Sequence, residues 1–154
     1  MRFEHTAAAI ELSTTCIETF EAHRQRTWLH KETGGQLFAR FYQGCFIVEH
    51  AICVQGTQSR YSFWPNRNKE QDQIDALFKD NLHYVGDWHT HPEKKPTPSK
   101  SDRIKMLEIF KQSKHELPFM VMAIVGTEPF PNGLFVATVS SSKIQKMSFT
   151  EQAV

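Results

Sequence analysis

The sequence predicts an α+β fold, an α/β sandwich built on one mostly antiparallel β-sheet, and three observations carry that expectation. Three segments place apolar residues at helical spacing. Between and after them run stretches rich in β-branched and aromatic residues. Short connections, one of them turning at Gly44, join neighbouring stretches as hairpins do. At 154 residues the chain has the size of one domain, so residues 1–154 are expected to form a single unit around one core.

Taken in order, Ser13 can cap a first helix over 14–28, TTCIETFEAHRQRTW, in which Ile17, Phe20, Arg24 and Trp28 recur at helical spacing. Gly34 and Gly35 open a hairpin with arms QLFARFYQG and CFIVEHAICV. A further strand, RYSFWPNR, ends near Pro65. The segment 69–82, KEQDQIDALFKDNL, carries Ile74, Leu77 and Phe78 at i, i+3 and i+4 and predicts a second helix. HYVGDWHTH has the composition of a strand, whereas HPEKKPTP holds Pro92, Pro96 and Pro98 and cannot be helical. Ser99 then caps a third helix over 99–114, with Ile104, Leu107 and Phe110 along one side. PFMVMAIVG and GLFVATVSSS are the last clear strands, and KIQKMSF either pairs as another or lies along the surface.

Eighteen Lys and Arg against 17 Asp and Glu leave a net charge of +1, so no overall field draws the chain to nucleic acid or anionic lipid. No run of about 18 apolar residues could span a bilayer. The N-terminus, MRFEHTAAAIELS, mixes charges where a signal peptide would be apolar. A cytoplasmic protein without nucleic-acid or membrane partners is expected. Cys16, Cys45 and Cys53 form no C-x-x-C pair and read as three buried small apolar residues of a reducing compartment.

The chemistry is concentrated between residues 86 and 102. On a strand, side chains alternate faces, so His89 and His91 point the same way with Cα atoms about 6.6 Å apart. The stiff proline segment brings back Ser99 and Asp102, and with Ser99 as cap Asp102 becomes the third residue of the helix. Two neutral imidazoles and one carboxylate leave a tetrahedral divalent ion one open position, the ligand set of a catalytic zinc. With 8 His in the chain, a His-x-His pair alone arises by chance about 0.4 times. Adding Ser and Asp at +8 and +11 lowers that to about one in a thousand. Without the histidines, Ser99 and Asp102 would be read simply as a reciprocal capping pair. Asp87 shares the histidines' face and is a rival carboxylate, although three ligands from five residues of one strand would strain to surround an ion. Trp88 and Thr90 face the other way and are expected in the core. Lys94 and Lys95 are either solvated or meet acidic groups on a partner.

Hydrolysis also needs a base to take the proton of the attacking water. Glu32, Glu49 and Glu70 all border expected strands or loops. Glu32 is preferred because Gly34 and Gly35, just after it, allow a sharp turn or close backbone approach.

Glu32 with Gly34 and Gly35, then His89-Thr90-His91-Pro92, then Ser99 and Asp102 together resemble the JAMM motif of the JAB/MPN/Mov34 metallopeptidases, over roughly residues 10 to 140. The resemblance implies a barrel-like sheet flanked by helices, one Zn2+ per chain held by His89, His91 and Asp102, Glu32 as general base, and Ser99 steadying the oxyanion. It implies hydrolysis of isopeptide or peptide bonds after the C-terminus of ubiquitin-like proteins. The string GDWHTHPEKKPTPSKSD is most similar to bacterial JAB proteins of anti-phage signalling operons. There the partner would be the C-terminal tail of a conjugated protein, such as a cyclic-nucleotide synthase. Two other classes compete: a noncatalytic MPN-type scaffold, whose metal motif would be broken, and a 2-His-1-carboxylate iron enzyme, which has no role for Glu32.

Overall fold

The computed structural model describes residues 1–6, 8–54, 56–59 and 63–151. In chain order the elements are β1 (Arg2–His5), β2 (Ala8–Leu12), α1 (Thr14–His23), β3 (Gly34–Tyr42), β4 (Cys45–Cys53), β5 (Gly56–Gln58), β6 (Phe63–Pro65), α2 (Arg67–Phe78), β7 (His83–Thr90), α3 (Lys100–Gln112), β8 (Met120–Val125), β9 (Leu134–Val139), β10 (Ile144–Lys146) and β11 (Ser148–Thr150). Nine strands form one sheet in the order β10-β9-β8-β7-β3-β4-β2-β1-β11, and β5 pairs with β6 apart from it. The sheet is mostly antiparallel, as expected. Among the described residues, only the β2–β4 and β7–β8 pairings are parallel.

The sheet curls until its edges meet. The chain crosses from β10 at one edge to β11 at the other through Met147, which is buried and whose N–H donates to the Val136 carbonyl at 2.9 Å. His5 Nε2 on β1 lies 3.0 Å from Thr138 Oγ1 on β9. This is the barrel-like sheet that the resemblance implies. An apolar cluster that includes Cys16 and Phe20 of α1 fills one side, with Trp88 packed on the Phe20 ring at 5.2 Å. A second cluster, around Met106, Met120, Met122 and Phe135, lies under α3.

Several expectations are corrected. The strands β1 and β2 arise from the N-terminal segment, whose mixed charges give no strand signal in the sequence. Helix α1 stops at His23, because Arg24 is extended (φ −53°, ψ 141°) and Gln25 turns its side chain back toward the His30 carbonyl. Trp28 therefore does not extend a buried stripe and is 76% exposed. Helix α2 starts earlier, capped by Asn66, and buries Glu70 while Phe78 stands exposed. The helix leans over a cavity of about 880 Å³ shared with α3, so its apolar residues have little to press against. On α3 it is Met106 that is buried and Ile104 that is exposed. Asp102, Met106 and Ile109 fall on one helical face at i, i+4 and i+7, and turning that face to the sheet rotates Ile104 outward.

The KIQKMSF segment divides between β10 and β11 on opposite edges. Of the strand read at RYSFWPNR, residues 60–62 lie outside the described residues and Phe63–Pro65 forms β6. Cys16 and Cys45 are buried as expected, but Cys53 is exposed at the end of β4. Among the described residues no helix is long and apolar enough to cross a membrane.

Candidate metal centre

Strand β7 ends at Thr90, and His91 continues its line because its N–H donates to the Val125 carbonyl of β8 at 2.9 Å. The period-2 geometry then brings His89 Nε2 and His91 Nε2 to 3.0 Å of each other. Trp88 and Thr90 are buried on the opposite side, as read from the sequence. Asp102 arrives from the first turn of α3. The Ser99 hydroxyl accepts from the Asp102 N–H at 3.1 Å and the Asp102 carboxylate accepts from the Ser99 N–H at 2.8 Å, a complete capping box. That same Asp102 Oδ2 lies 3.3 Å from His89 Nε2 and 3.2 Å from His91 Nε2. A tetrahedral ion with bonds of about 2.0–2.1 Å separates neighbouring ligand atoms by about 3.3 Å. The three atoms thus form a triangle of the size that one such ion requires.

Glu32 stands beside this triangle. Its carboxylate and the two imidazoles lie within 4.8 Å of one another, and it makes no ion pair with either histidine. Its N–H donates to the Ser59 carbonyl at 2.5 Å. The glycines that follow it serve close approach and not a turn: both lie within β3, where a Cβ on Gly34 would strike the Trp88 carbonyl oxygen and one on Gly35 the Ile52 carbonyl oxygen. Of the other carboxylates considered, Glu49 pairs with Arg40 at 2.9 Å and Glu70 with Arg67 at 2.7 Å.

The electrostatics follow from burial and these contacts. Burial pushes the Glu32 carboxyl up to about 7, with His91 opposing the shift. Burial also acts to raise Asp102, but hydrogen bonds from His89, His91 and the Ser99 N–H overcome it and hold the carboxyl below its usual range. Burial lowers His89 despite its bond to Asp102. For His91 burial is the largest single influence, yet Asp102, Glu32 and Glu93 together outweigh it and raise the group.

Asp87 does not join the triangle. The register between β3 and β7 shifts between Leu37 and Phe38, pairing them with Gly86 and Tyr84, so one extra residue sits in β7. Tyr84 and Asp87, three apart, thereby come to one side, and the Tyr84 hydroxyl donates to Asp87 Oδ1 at 2.7 Å. Glu93 is a residue that the sequence reading missed: its Oε1 lies 3.1 Å from His91 Nδ1. A carboxylate there fixes the tautomer that frees Nε2 for an ion. Its only trace in the sequence is an acid two residues after a ligand candidate. Lys94 and Lys95 are exposed.

Fold and donor set together define a class, and comparison with known proteins agrees: residues 16–138 match the family described as prokaryotic homologs of the JAB domain, and the chain belongs to it. It is similar to two proteins named CD-NTase/cGAS isopeptidase. The one from Pseudomonas aeruginosa is 27% identical over 138 residues, 86% of this chain and 84% of the relative. The one from Enterobacter hormaechei is 37% identical over 135 residues, 85% and 74% of the two chains. A Sinorhizobium fredii protein named "Probable metalloprotease y4qB" is 30% identical over 105 residues, 64% of each chain. The fold also matches a solution structure of a Desulfitobacterium hafniense protein with a TM-score of 0.66 at 20% identity, covering 89% of this chain and 88% of that one.

Proposed function

We propose that this protein is a zinc-dependent isopeptidase that hydrolyses the bond after the C-terminus of a ubiquitin-like modifier or of a protein conjugated in the same way, a cyclic-nucleotide synthase above all. The observation that carries the reading is the triangle of His89, His91 and Asp102 with the buried Glu32 carboxylate close beside it, within 4.8 Å of both imidazoles. The names of the relatives support the bond type and the donor. Two imidazoles with one carboxylate suit zinc or iron alike, and the family likeness together with a task for Glu32 favours zinc.

In this reading His89, His91 and Asp102 hold the ion. When bound, zinc polarises the scissile carbonyl and lowers the pKa of a coordinated water toward about 7. Glu32 takes the proton of the attacking water and delivers it to the departing lysine amine, and its burial keeps that carboxyl a better proton acceptor than a solvated one. The Ser99 hydroxyl spends its oxygen on the helix cap and keeps its hydrogen to donate to the oxyanion. The test is metal analysis of the purified protein, followed by cleavage of a cyclic-nucleotide synthase fused through its C-terminus to a reporter. One zinc per chain and cleavage at the junction are expected. Iron in its place, or a zinc-loaded protein that leaves the fusion intact, would reject the reading.

A further inference from the structure

We propose that Thr90, oriented by Gln25, is a positioning residue that fixes Glu32 relative to the two histidines. The inference rests on Glu32 acting as the base. The ladder between β3 and β7 ends at the Gly34–His89 pair. One residue beyond, Thr33 is still tied to β7, but by a different device. The Thr90 N–H donates to the Thr33 carbonyl at 2.8 Å, and the Thr33 N–H donates to Thr90 Oγ1 at 3.0 Å, so a side-chain hydroxyl stands in for a backbone carbonyl.

That hydroxyl can accept from Thr33 only if its own hydrogen points elsewhere. Gln25 provides the place: Thr90 Oγ1 donates to Gln25 Oε1 at 2.9 Å, and Gln25 Nε2 donates to the His30 carbonyl at 3.2 Å, which decides which way the amide faces. Gln25 is 2% exposed and Thr90 is fully buried, so water cannot replace either partner cheaply. The relay runs from the loop after α1, through the residue between the two histidines, to the residue next to Glu32. It lies on the face of β7 opposite the donor triangle and touches none of the three atoms that would hold an ion.

This arrangement separates two functions that a general packing role would not separate. His89 and His91 are held by β7 and β8, whose pairing runs through Thr90–Val125 and the His91 N–H bond to the Val125 carbonyl, independent of the hydroxyl. Glu32, by contrast, is held by its own N–H bond to the Ser59 carbonyl and by Thr33, whose carbonyl accepts from the Thr90 N–H and whose hydroxyl accepts from Gln58 but whose N–H depends on the Thr90 hydroxyl. Loss of the hydroxyl should therefore displace the base and spare the ligands. A displacement of about 1 Å can cost a proton-transfer step about 10²-fold.

The test compares Thr90→Val, which keeps the shape and removes the hydroxyl, with Thr90→Ser, which restores it, and with Gln25→Leu, which removes the acceptor that orients it. Zinc content, thermal midpoint, amide hydrogen exchange at Thr33, kcat and KM are measured on each, with the synthase–reporter fusion as substrate. Expected for Thr90→Val are one zinc per chain, faster exchange at Thr33, a kcat lowered about 10²-fold and KM within about twofold. Thr90→Ser should recover most of the rate, and Gln25→Leu should lower kcat with zinc retained. Wild-type kcat in Thr90→Val, or zinc lost in step with activity, or Thr90→Ser as slow as Thr90→Val, would overturn the proposal. If Thr90→Val does not fold, Gln25→Leu decides alone, and an unchanged kcat there overturns it. Glu32→Gln is the control: full activity in that variant defeats the base assignment, whereas an inactive Glu32→Gln beside a fully active Thr90→Val defeats only the positioning role.

Discussion

Ser99 and Asp102 hold each other through two reciprocal hydrogen bonds of 3.1 and 2.8 Å, and the carboxylate oxygen that accepts the second is the one facing both imidazoles. The bond that starts helix α3 is thus also the bond that aims the third donor. A carboxylate on a free loop would lose side-chain entropy on meeting an ion, whereas one already fixed in a capping box loses less.

If His89, His91 and Asp102 hold the ion, His89→Ala should abolish stoichiometric zinc while leaving the chain folded, because the core is large enough without it. Glu93→Gln should keep zinc but weaken it by about 10- to 100-fold, since the amide is a poorer partner for the His91 Nδ1–H. Competition against a chromogenic chelator measures both. Unchanged zinc in His89→Ala would remove that residue from the ligand set.

Glu32→Gln should retain zinc and lose nearly all hydrolysis. In the chelated, metal-free protein it should also change how stability varies with pH. Burial raises the wild-type carboxyl from 4.5 to about 7, so the native state binds the proton more tightly than the unfolded chain. The stabilisation that the protonated group carries is present below about 4.5 and is lost as pH rises through about 7. Glu32→Gln should gain on wild type over that interval, by up to about 3 kcal/mol. Urea unfolding at pH 5 and pH 8 tests it, and a gap that does not change with pH would show that the group is not held protonated.

Ser99→Asp should leave stability near that of wild type, since aspartate is an equally good N-cap, whereas Ser99→Ala should cost about 1 kcal/mol. Turnover should behave differently. A carboxylate in place of the hydroxyl opposes the developing negative charge, and loss of an oxyanion donor typically costs about 10² to 10³ in rate. Thermal melts and kcat measured on the same preparations separate the two roles. Wild-type turnover in Ser99→Asp would leave Ser99 as a cap only.

The thiols should divide by burial. Cys16 is fully buried and its thiol is pushed up to about 12 by desolvation, and Cys45 is buried and raised as well, while Cys53 is exposed. A disulfide reagent should titrate one thiol quickly in the native protein and three after denaturation. Fast reaction at Cys16 would contradict its burial between α1 and the sheet.

What depends on neighbours a few residues apart is legible before any folding is known. Alternation along β7 put His89 and His91 on one face, the three-residue spacing of a capping box put Asp102 beside Ser99, and β-branched runs marked β3, β4, β7, β8 and β9. These are short-range relationships that a strand or a helix end produces wherever it lies. Tertiary structure alone decided which segments meet. It recruited the charged N-terminus as β1 and β2, turned α3 so that Asp102 and Met106 face the sheet and Ile104 faces water, and used an extra residue in β7 to hand Asp87 to Tyr84. It also brought Glu32 to histidines 57 and 59 positions away, through Thr33 and Thr90, which are themselves 57 residues apart and joined by hydrogen bonds. No spacing rule spans that distance, because such a contact forms only when the whole sheet has paired and left a buried N–H with one hydroxyl to satisfy it.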